Sequence, residues 1–363
     1  MTTPFSPTDA TSRLSAQRWS PEQAWAWHRS LPWLVGCNYN PAYAGNQLEW
    51  LSRGTFDAAA VERELGWAQS LGLTSMRVFL HDLCWQQDQA EFLATIDHLL
   101  CIADSKGFGL LLTFFDSCWH PVPRLGVQRG PEPFTHNSLW VQSPGVNILR
   151  DAVKFAALES YVTGVISYFR NDRRIHGWDL WNEPDNRNDS SYPSRDLGGA
   201  KADTVMPLLA QTFAWARAAR PSQPLTSGIW LGDYSADKLS PFQRLQVEAS
   251  DIVSFHRYSG PEETASCIRQ LQTHGRPLWC TEFMARGANS TFAEILPLLK
   301  EHHVGAWCWG FVQGRTQTHM PWDSWHRKYD TEPDLWFHEI LRSDGTPYQE
   351  DEAKLIRHLT RGG

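Results

Sequence analysis

Short apolar runs alternate along the chain with longer segments in which apolar residues recur at helical spacing. Eight runs rich in β-branched and aromatic residues predict strands, at 33–39, 74–80, 109–115, 176–182, 224–230, 251–256, 277–283 and 304–311. The segments between them predict amphipathic helices at 57–71, 89–106, 150–169, 203–219, 261–274 and 291–302. Capping residues at 55–57 and 290–291 precede two of these helices, and Gly107 and Gly275 follow two others, where a C-terminal glycine is expected.

Repeated strand–helix units indicate a parallel sheet, and eight such units favour closure into a (β/α)8 TIM barrel. The first strand is not followed by a dinucleotide-binding glycine pattern, which argues against a Rossmann fold. We therefore expect α/β architecture, with residues 31–363 forming one barrel domain that has long loops at its C-terminal face. Residues 1–30 are expected to form an N-terminal extension that packs on the barrel.

The longest irregular segment is 116–149, directly after the third predicted strand. It is rich in Pro, Gly, Trp and His, and it begins at the carboxyl end of a strand, the face where barrel enzymes hold their active sites. The segment is therefore predicted to form a cleft wall.

Composition narrows the class of protein. The chain has 363 residues, a formal net charge of −7, 42% hydrophobic and 20% charged residues, as in a folded enzyme. A mildly acidic chain without a lysine-rich stripe predicts no nucleic-acid partner. No run is long enough to span a bilayer, and the N-terminus lacks the basic start and apolar core of a secretory signal, so we expect no membrane association and a cytoplasmic location.

Cysteine and tryptophan usage add two expectations. Seven cysteines is an odd number, and Cys37, Cys101, Cys280 and Cys308 lie in apolar runs, which predicts buried free thiols and a reducing compartment. Nineteen tryptophans are more than a core readily absorbs, so many are expected to line a surface or cleft. Flat aromatic faces stack on the C–H faces of sugar rings, which favours a carbohydrate ligand.

Two predicted strands end in glutamate. The fourth ends at Trp-Asn-Glu-Pro, with Glu183, and the seventh at Cys-Thr-Glu-Phe, with Glu282. They are three strand–helix units apart, so their carboxylates are expected to face each other across the barrel mouth. Carboxyl groups about 5–5.5 Å apart support double displacement at an anomeric carbon, and about 6.5–9.5 Å leaves room for an inverting water. The sequence leaves that separation open.

With Trp-Asn-Glu-Pro ending strand four, a glutamate ending strand seven and a tryptophan on strand eight, the chain resembles the clan A glycoside hydrolases, most nearly the cellulase-like family 5. The resemblance covers nearly the whole barrel. It implies a retaining O-glycosyl hydrolase acting on β-glycosides or oligosaccharides in carbohydrate metabolism, with Glu183 as acid/base and Glu282 as nucleophile. Members often carry a histidine near the end of the third strand. This chain has Phe-Asp-Ser-Cys-Trp-His at 115–120, which weakens any transfer of substrate identity from the well-known cellulases.

The resemblance also implies substrate-binding roles. Arg77 and Tyr258 would hold Glu282 ionised, Asn182 would bond the sugar 2-hydroxyl, His256 would orient Glu183 or ring hydroxyls, and Trp309 would form the floor of the sugar subsite. Further candidates are Asp116, Trp119 and His120 after the third strand, and Gln313 and Trp322 after the eighth. Structural alternatives stay open. Arg77 could be a structural cation, His256 and Tyr258 a core pair, Asp116 a turn cap, and the loop tryptophans lids or a subunit contact.

Other chemistries have less support in the sequence. Metal-binding and nucleophile-elbow motifs are missing, so we expect no metal and no cofactor. A metal-dependent barrel hydrolase using Glu183, Glu282, His256 and Asp116 as ligands is one alternative. A transglycosylase on the same site and a non-catalytic sugar-binding barrel are two others. The sugar, its linkage, endo or exo action and the oligomeric state stay open.

Overall fold

Eight parallel strands surround the centre of the molecule, which the computed structural model describes over residues 5–361. The strands are β1 (Val35–Tyr39), β2 (Ser75–Phe79), β3 (Gly109–Asp116), β4 (Ile175–Asn182), β5 (Leu225–Thr226), β6 (Val253–His256), β7 (Leu278–Phe283) and β8 (Gly305–Trp309). Their spatial order is β5-β4-β3-β2-β1-β8-β7-β6. A parallel bridge between Ile229 and Phe255, with the His256 N–H donating to the Ile229 carbonyl (2.8 Å), joins the two ends. The predicted (β/α)8 barrel is confirmed.

Helices follow the strands and cover the outside of the barrel. They are α1 (Pro7–Ser15), α2 (Pro21–Ser30), α3 (Gln47–Leu51), α4 (Ala58–Ser70), α5 (Asp82–Gln87), α6 (Gln89–Ser105), α7 (Val146–Leu149), α8 (Phe155–Phe169), α9 (Lys201–Ala218), α10 (Pro241–Ala249), α11 (Pro261–Gln272), α12 (Phe292–Glu301) and α13 (Glu350–Arg361). All six predicted helices are present. Helix α10 was not predicted, although a capping box of Ser240 and Gln243 opens it.

The predicted strand 224–230 was wrong in length, because β5 contains only Leu225 and Thr226. The chain leaves the sheet at Ser227 and Gly228 and pairs again only at Ile229. Gly228 lies against the ring of His256, where an added Cβ would be 3.2 Å from Nε2. The irregular backbone here lets the chain pass close to a side chain of the barrel mouth.

Indoles fill the end of the barrel where the strands begin. Trp279 and Trp307 are fully buried, their rings 5.6 Å apart, and they pack in one cluster with Leu111. Gly177 provides room, since a Cβ there would be 2.9 Å from the Trp279 ring. The expectation that many tryptophans line a surface or cleft therefore describes only some of the nineteen. The largest fully buried side chains include six indoles, those of Trp50, Trp178, Trp181, Trp279, Trp307 and Trp336.

The N-terminal helices lie against this same end. The Trp27 indole donates to the carbonyl of His176 at the start of β4 (3.1 Å), and the Trp19 N–H donates to Asp251 Oδ1 (2.7 Å). Trp27 also packs on the Trp279–Trp307 cluster, and α1 contacts α9 and α10. Residues 1–4 of the predicted extension lie outside the described part of the chain.

The seven cysteines are free thiols, and six are buried. Cys101 is exposed, so its predicted burial was wrong. The reason is helical period. In α6 the neighbours Leu99, Leu100, Ile102 and Ala103 turn inward, which leaves Cys101 on the outer face. Within residues 5–361 the helices are too short or too polar to cross a bilayer.

Candidate active site

Glu183 and Glu282 meet at the mouth of the barrel. Glu183 follows β4 directly, Glu282 lies near the end of β7, and they are only 7% and 5% exposed. One carboxylate oxygen of each and a ring nitrogen of His256 all lie within 4.8 Å of one another. The two strand-end glutamates therefore form one buried cluster with a histidine.

Local backbone distortions aim both glutamates into the mouth. Glu183 has a left-handed φ of +41°, an uncommon conformation for a non-glycine residue, and Pro184 follows it. Beside Glu282 the strand pairing of β7 is irregular on both sides. The register with β6 shifts between Phe255 and His256, and the register with β8 shifts between Cys280 and Phe283. Such irregularities commonly re-aim a side chain beside a functional site.

Arg77, on β2, is the positively charged residue in contact with this cluster. Its buried guanidinium donates to Glu282 Oε1 (2.9 Å), Asn182 Oδ1 (2.6 Å) and Asn38 Oδ1 (2.7 Å). It also makes a two-pronged contact with Asp179 Oδ2 (3.0 and 2.6 Å), so all five N–H groups are used. Arg77 is thus both a structural cation and a direct partner of Glu282.

Glu282 faces a cation and a hydroxyl. Besides Arg77, the Tyr258 hydroxyl donates to its Oε2 (2.8 Å). Burial raises the pKa of Glu282 and the neighbouring Glu183 adds to this, whereas Arg77 and the Tyr258 hydrogen bond lower it. The direct guanidinium contact favours the ionised carboxylate at this position.

Glu183 has only uncharged donors in direct contact. Its Oε2 accepts from Asn186 Nδ2 (2.7 Å) and the Cys118 thiol (3.2 Å), and its Oε1 contacts His256 Nδ1 (2.7 Å). Burial raises the pKa of Glu183 to about 7, with the hydrogen bonds from Asn186 and Cys118 holding it down. Near neutral pH this carboxyl can therefore hold or release a proton, while the guanidinium contact favours the ionised form of Glu282.

His256 at the end of β6 lies between the two carboxyl groups. Its Nδ1 is 2.7 Å from Glu183 and 3.5 Å from Glu282. Burial lowers the pKa of His256 to about 4, so the ring is neutral near pH 7. A neutral ring with its proton on Nδ1 donates to Glu183 and orients that carboxyl.

Asp116 is held by protein donors on both oxygens. Its Oδ1 accepts from the backbone N–H of Cys118 (2.9 Å) and from Asn182 Nδ2 (3.0 Å), and its Oδ2 accepts from the Trp140 indole (2.6 Å). These contacts favour the turn-capping role over direct sugar binding. Because Asp116 and Arg77 both bind Asn182, they fix the amide beside Glu183.

Aromatic side chains surround the mouth. Trp309, at the end of β8, packs edge-on against Phe79 (5.8 Å) and Trp140 (5.7 Å). Tyr258 packs edge-on against Trp322 (5.2 Å), which is 37% exposed. Trp119 packs against the cluster of Phe79, Trp140 and Trp309, and it stacks on Trp325 at 5.5 Å and 20°. The rims on the β3 and β8 sides are therefore both lined with rings.

Two predicted site residues, His120 and Gln313, contact residues outside the glutamate cluster. His120 packs edge-on against Tyr192 (5.0 Å), and its Nδ1 accepts the Val122 N–H (3.2 Å). Gln313 donates to Glu332 (2.6 Å).

By contrast, Cys118, Asn186 and Trp140 were not predicted as site residues, although they contact Glu183 or Asp116. They lie on loops, where sequence spacing gives no geometry; only the adjacency of Cys118 to Asp116 was a signal.

A divalent cation is a poor fit to the cluster. Glu183, His256 and Glu282 have the right donor atoms within 4.8 Å of one another. Arg77, however, already contacts Glu282 with full positive charge at 2.9 Å. A second cation at this carboxylate would be repelled, and each oxygen of Glu183 already has a protein partner.

Sequence comparisons return nothing for this chain: no family model and no curated protein matches. Solved structures do match in fold. A GH5_18 protein from Streptomyces cattleya in complex with GlcNAc has a TM-score of 0.58 at 14% identity, over 91% of this chain and 80% of that one. An endo-1,4-β-D-mannanase from Thermotoga petrophila has a TM-score of 0.54 at 12% identity, over 91% and 99%. The exo-β-1,4-mannosidase Op5Man5 from an Opitutaceae bacterium has a TM-score of 0.61 at 18% identity, over 91% and 59%. At these identities the likeness establishes the barrel fold.

Proposed function

We propose that the protein is a retaining β-glycoside hydrolase of the family 5 type. The observation that carries the proposal is the pair of buried carboxylates, Glu183 and Glu282, with oxygens within 4.8 Å of each other. An approach this close is compatible with the spacing of about 5–5.5 Å between the carboxyl groups of retaining enzymes. The unequal surroundings of the two groups support Glu183 as acid/base and Glu282 as nucleophile.

In the first step an oxygen of ionised Glu282 attacks the anomeric carbon and forms a glycosyl ester. The bond to the leaving oxygen breaks, and that oxygen takes the proton of Glu183. In the second step Glu183, now a carboxylate, takes a proton from water. The water oxygen attacks the same carbon, the ester bond breaks, and Glu282 leaves as a carboxylate. Two inversions give net retention.

Surrounding groups support these two proton and charge shifts. Arg77 and the Tyr258 hydroxyl keep Glu282 ionised before attack and after release. Neutral His256 orients Glu183 without neutralising it. The amide of Asn182, fixed between Arg77 and Asp116, is placed to meet the sugar hydroxyl next to the anomeric carbon. Trp309 supplies an apolar ring face at the mouth.

The neighbours indicate which substrates to test first. Two of the three structures named above are called a β-mannanase and a β-mannosidase. A variant of the Streptomyces cattleya protein has also been solved in complex with Manβ1-4GlcNAc. We propose short β-linked oligosaccharides, with β-mannosides first, as the substrate class.

Activity on a panel of aryl β-glycosides and short β-linked oligosaccharides tests the proposal. The wild type should cleave at least one sugar type, in buffer with or without chelator. Glu282→Ala should cleave none, and azide should restore turnover with a glycosyl azide of inverted configuration. Glu350→Gln, at the exposed start of α13, is the matched control and should match the wild type. A fully active Glu282→Ala, or activity lost with chelator, would contradict the assignment. Binding without cleavage by the wild type would support a sugar-binding barrel instead.

A further inference from the structure

A small cavity lies beside Trp309, between the ends of β8 and β1. Its volume is about 20 Å³, and its lining includes Asn40, Trp140, Trp309, Thr318 and Glu339. A volume of this size accommodates one water or one hydroxyl group. Trp309 and Trp140 pack together with Phe79, and Tyr258, the hydroxyl partner of Glu282, packs on the same cluster. The cavity is therefore one ring away from the proposed catalytic pair.

The backbone is built to place a carboxyl group there. Glu339 is fully buried and has a left-handed φ of +70°. It approaches Gly310, where an added Cβ would be 2.9 Å from Glu339 Cγ and 3.1 Å from Thr318 Oγ1. Gly310 itself has a φ of +78°. Only glycine combines this conformation with this close approach, so the turn after Trp309 admits the glutamate.

Two buried oxygens of residues that line the cavity have no hydrogen-bond partner within residues 5–361. Glu339 Oε1 accepts from Thr318 Oγ1 (2.5 Å), but Oε2 is unpartnered, as is Asn40 Oδ1. Asn40 is oriented by its own amide, which donates to the Ala44 carbonyl (2.6 Å). Buried polar atoms without a partner cost stability and are uncommon, so they indicate a site for a polar group. Burial also raises the pKa of Glu339 to about 8, so at neutral pH its carboxyl is mainly protonated and can donate.

We infer that Glu339 and Asn40 form a binding pocket for one hydroxyl group of the sugar that rests against Trp309. The Glu339 carboxyl donates to the sugar oxygen, and the sugar hydroxyl donates to Asn40 Oδ1. The inference rests on the proposed glycosidase function and makes these two residues determinants of which sugar is accepted. A site that hydrogen-bonds a hydroxyl disfavours analogues lacking it, because its own polar groups are then left unpaired.

Monodeoxy substrates test the pocket. The wild type and its variants are assayed with the best aryl glycoside from the panel and with its 2-, 3-, 4- and 6-deoxy forms. Glu339→Met removes the donor with little change in side-chain length and should lower kcat/KM for the parent by about tenfold. The same variant should cause no further loss on one of the deoxy forms. Glu339→Gln has an amide that both accepts from Thr318 and donates, so it should stay close to the wild type. Asn40→Ala should show the same selective pattern as Glu339→Met, and Glu350→Gln should show none.

The outcomes separate this inference from the proposed function. If the wild type cleaves the parent but Glu339→Met and Asn40→Ala lower kcat/KM equally on the parent and all four deoxy forms, the cavity holds a structural water and the inference fails alone. Unchanged kinetics in both variants would also overturn it alone. If the wild type cleaves nothing on the panel, the glycosidase proposal fails and the inference fails with it. Asn40→Ala keeps the test valid if Glu339→Met does not fold, because Asn40 is only half-buried.

Discussion

The two ends of the barrel bury different kinds of side chain, although the same strands form both. On β7, Trp279 fills the lower end with an indole, and Glu282, three residues later, presents a carboxylate at the mouth. The lower end gains stability from close packing. The mouth instead buries Glu183, Glu282 and Arg77, whose removal from water is costly unless each is paired. The lower end therefore contributes mainly to stability, and the mouth holds charged side chains in fixed positions for the proposed reaction.

The largest expected effect separates the two ends at Glu282. Glu282→Gln keeps the side-chain shape and an acceptor for Arg77, but it cannot attack an anomeric carbon. We expect kcat to fall by about 10⁴-fold or more. The free energy of unfolding should change by only about 1 kcal/mol, because Asp179 still pairs with the buried Arg77 guanidinium. Steady-state kinetics and urea unfolding measure the two quantities. A large loss of stability together with the loss of activity would contradict this difference between the two ends.

Trp279→Ala is the converse change. It opens a cavity at the lower end and should cost about 3–5 kcal/mol of unfolding free energy. Below the melting temperature of the variant, kcat/KM should stay within about twofold of the wild type, because Glu282 is held by Arg77 and Tyr258 rather than by the indole. Calorimetry and kinetics at one low temperature give both values. A tenfold loss of kcat/KM in folded protein would mean that the lower packing positions the mouth.

Glu183→Ala should have an effect that depends on the leaving group. Acid catalysis contributes about 10²–10⁴-fold, so substrates with poor leaving groups should lose kcat/KM by that factor. Activated aryl glycosides, which leave without a proton, should keep much of theirs and accumulate the glycosyl ester, because the base of the second step is missing. Burst kinetics would reveal that ester. Equal losses on all leaving groups would argue against Glu183 as the acid.

The smallest expected effect is at Cys118. With a Glu183 pKa of about 7, kcat/KM should fall as pH rises through that value, because the first step needs the protonated acid. The Cys118 thiol holds this pKa down by donating to Oε2, so Cys118→Ala should move the alkaline limb to higher pH by less than about one unit. Cys118→Ser keeps a donor and should leave the limb in place. A shift to lower pH in Cys118→Ala would contradict this role.

The sequence was sufficient for features that depend on strand ends. Alternation of strands and helices predicts the barrel, and a residue at the end of a strand must lie at the mouth, which located Glu183, Glu282 and His256. The sequence was not sufficient for residues whose position depends on the path of a loop. Glu339 follows β8 by about thirty residues and reaches the mouth only because the chain returns over Gly310. Cys118 reaches Glu183 through a turn that Asp116 caps.

The burial of particular tryptophans was not predicted, for a related reason. Composition does not report that glycines at the lower ends of the strands, such as Gly177 and Gly305, open space for indoles. Nor does it show that some indole N–H groups can lack a partner, as those of Trp50, Trp279 and Trp307 do within residues 5–361. Packing complementarity between distant positions, rather than the count of a residue type, decided where these rings lie.

The most direct test of the account is the configuration of the first-formed product. Proton NMR of the anomeric signal during hydrolysis of an aryl β-glycoside by the wild type distinguishes the two stereochemical courses before mutarotation. The nucleophile role proposed for Glu282 predicts that the β-anomer appears first and the α-anomer only later. If the α-anomer appears first, the enzyme is inverting, and the assignment of Glu282 as a nucleophile is wrong.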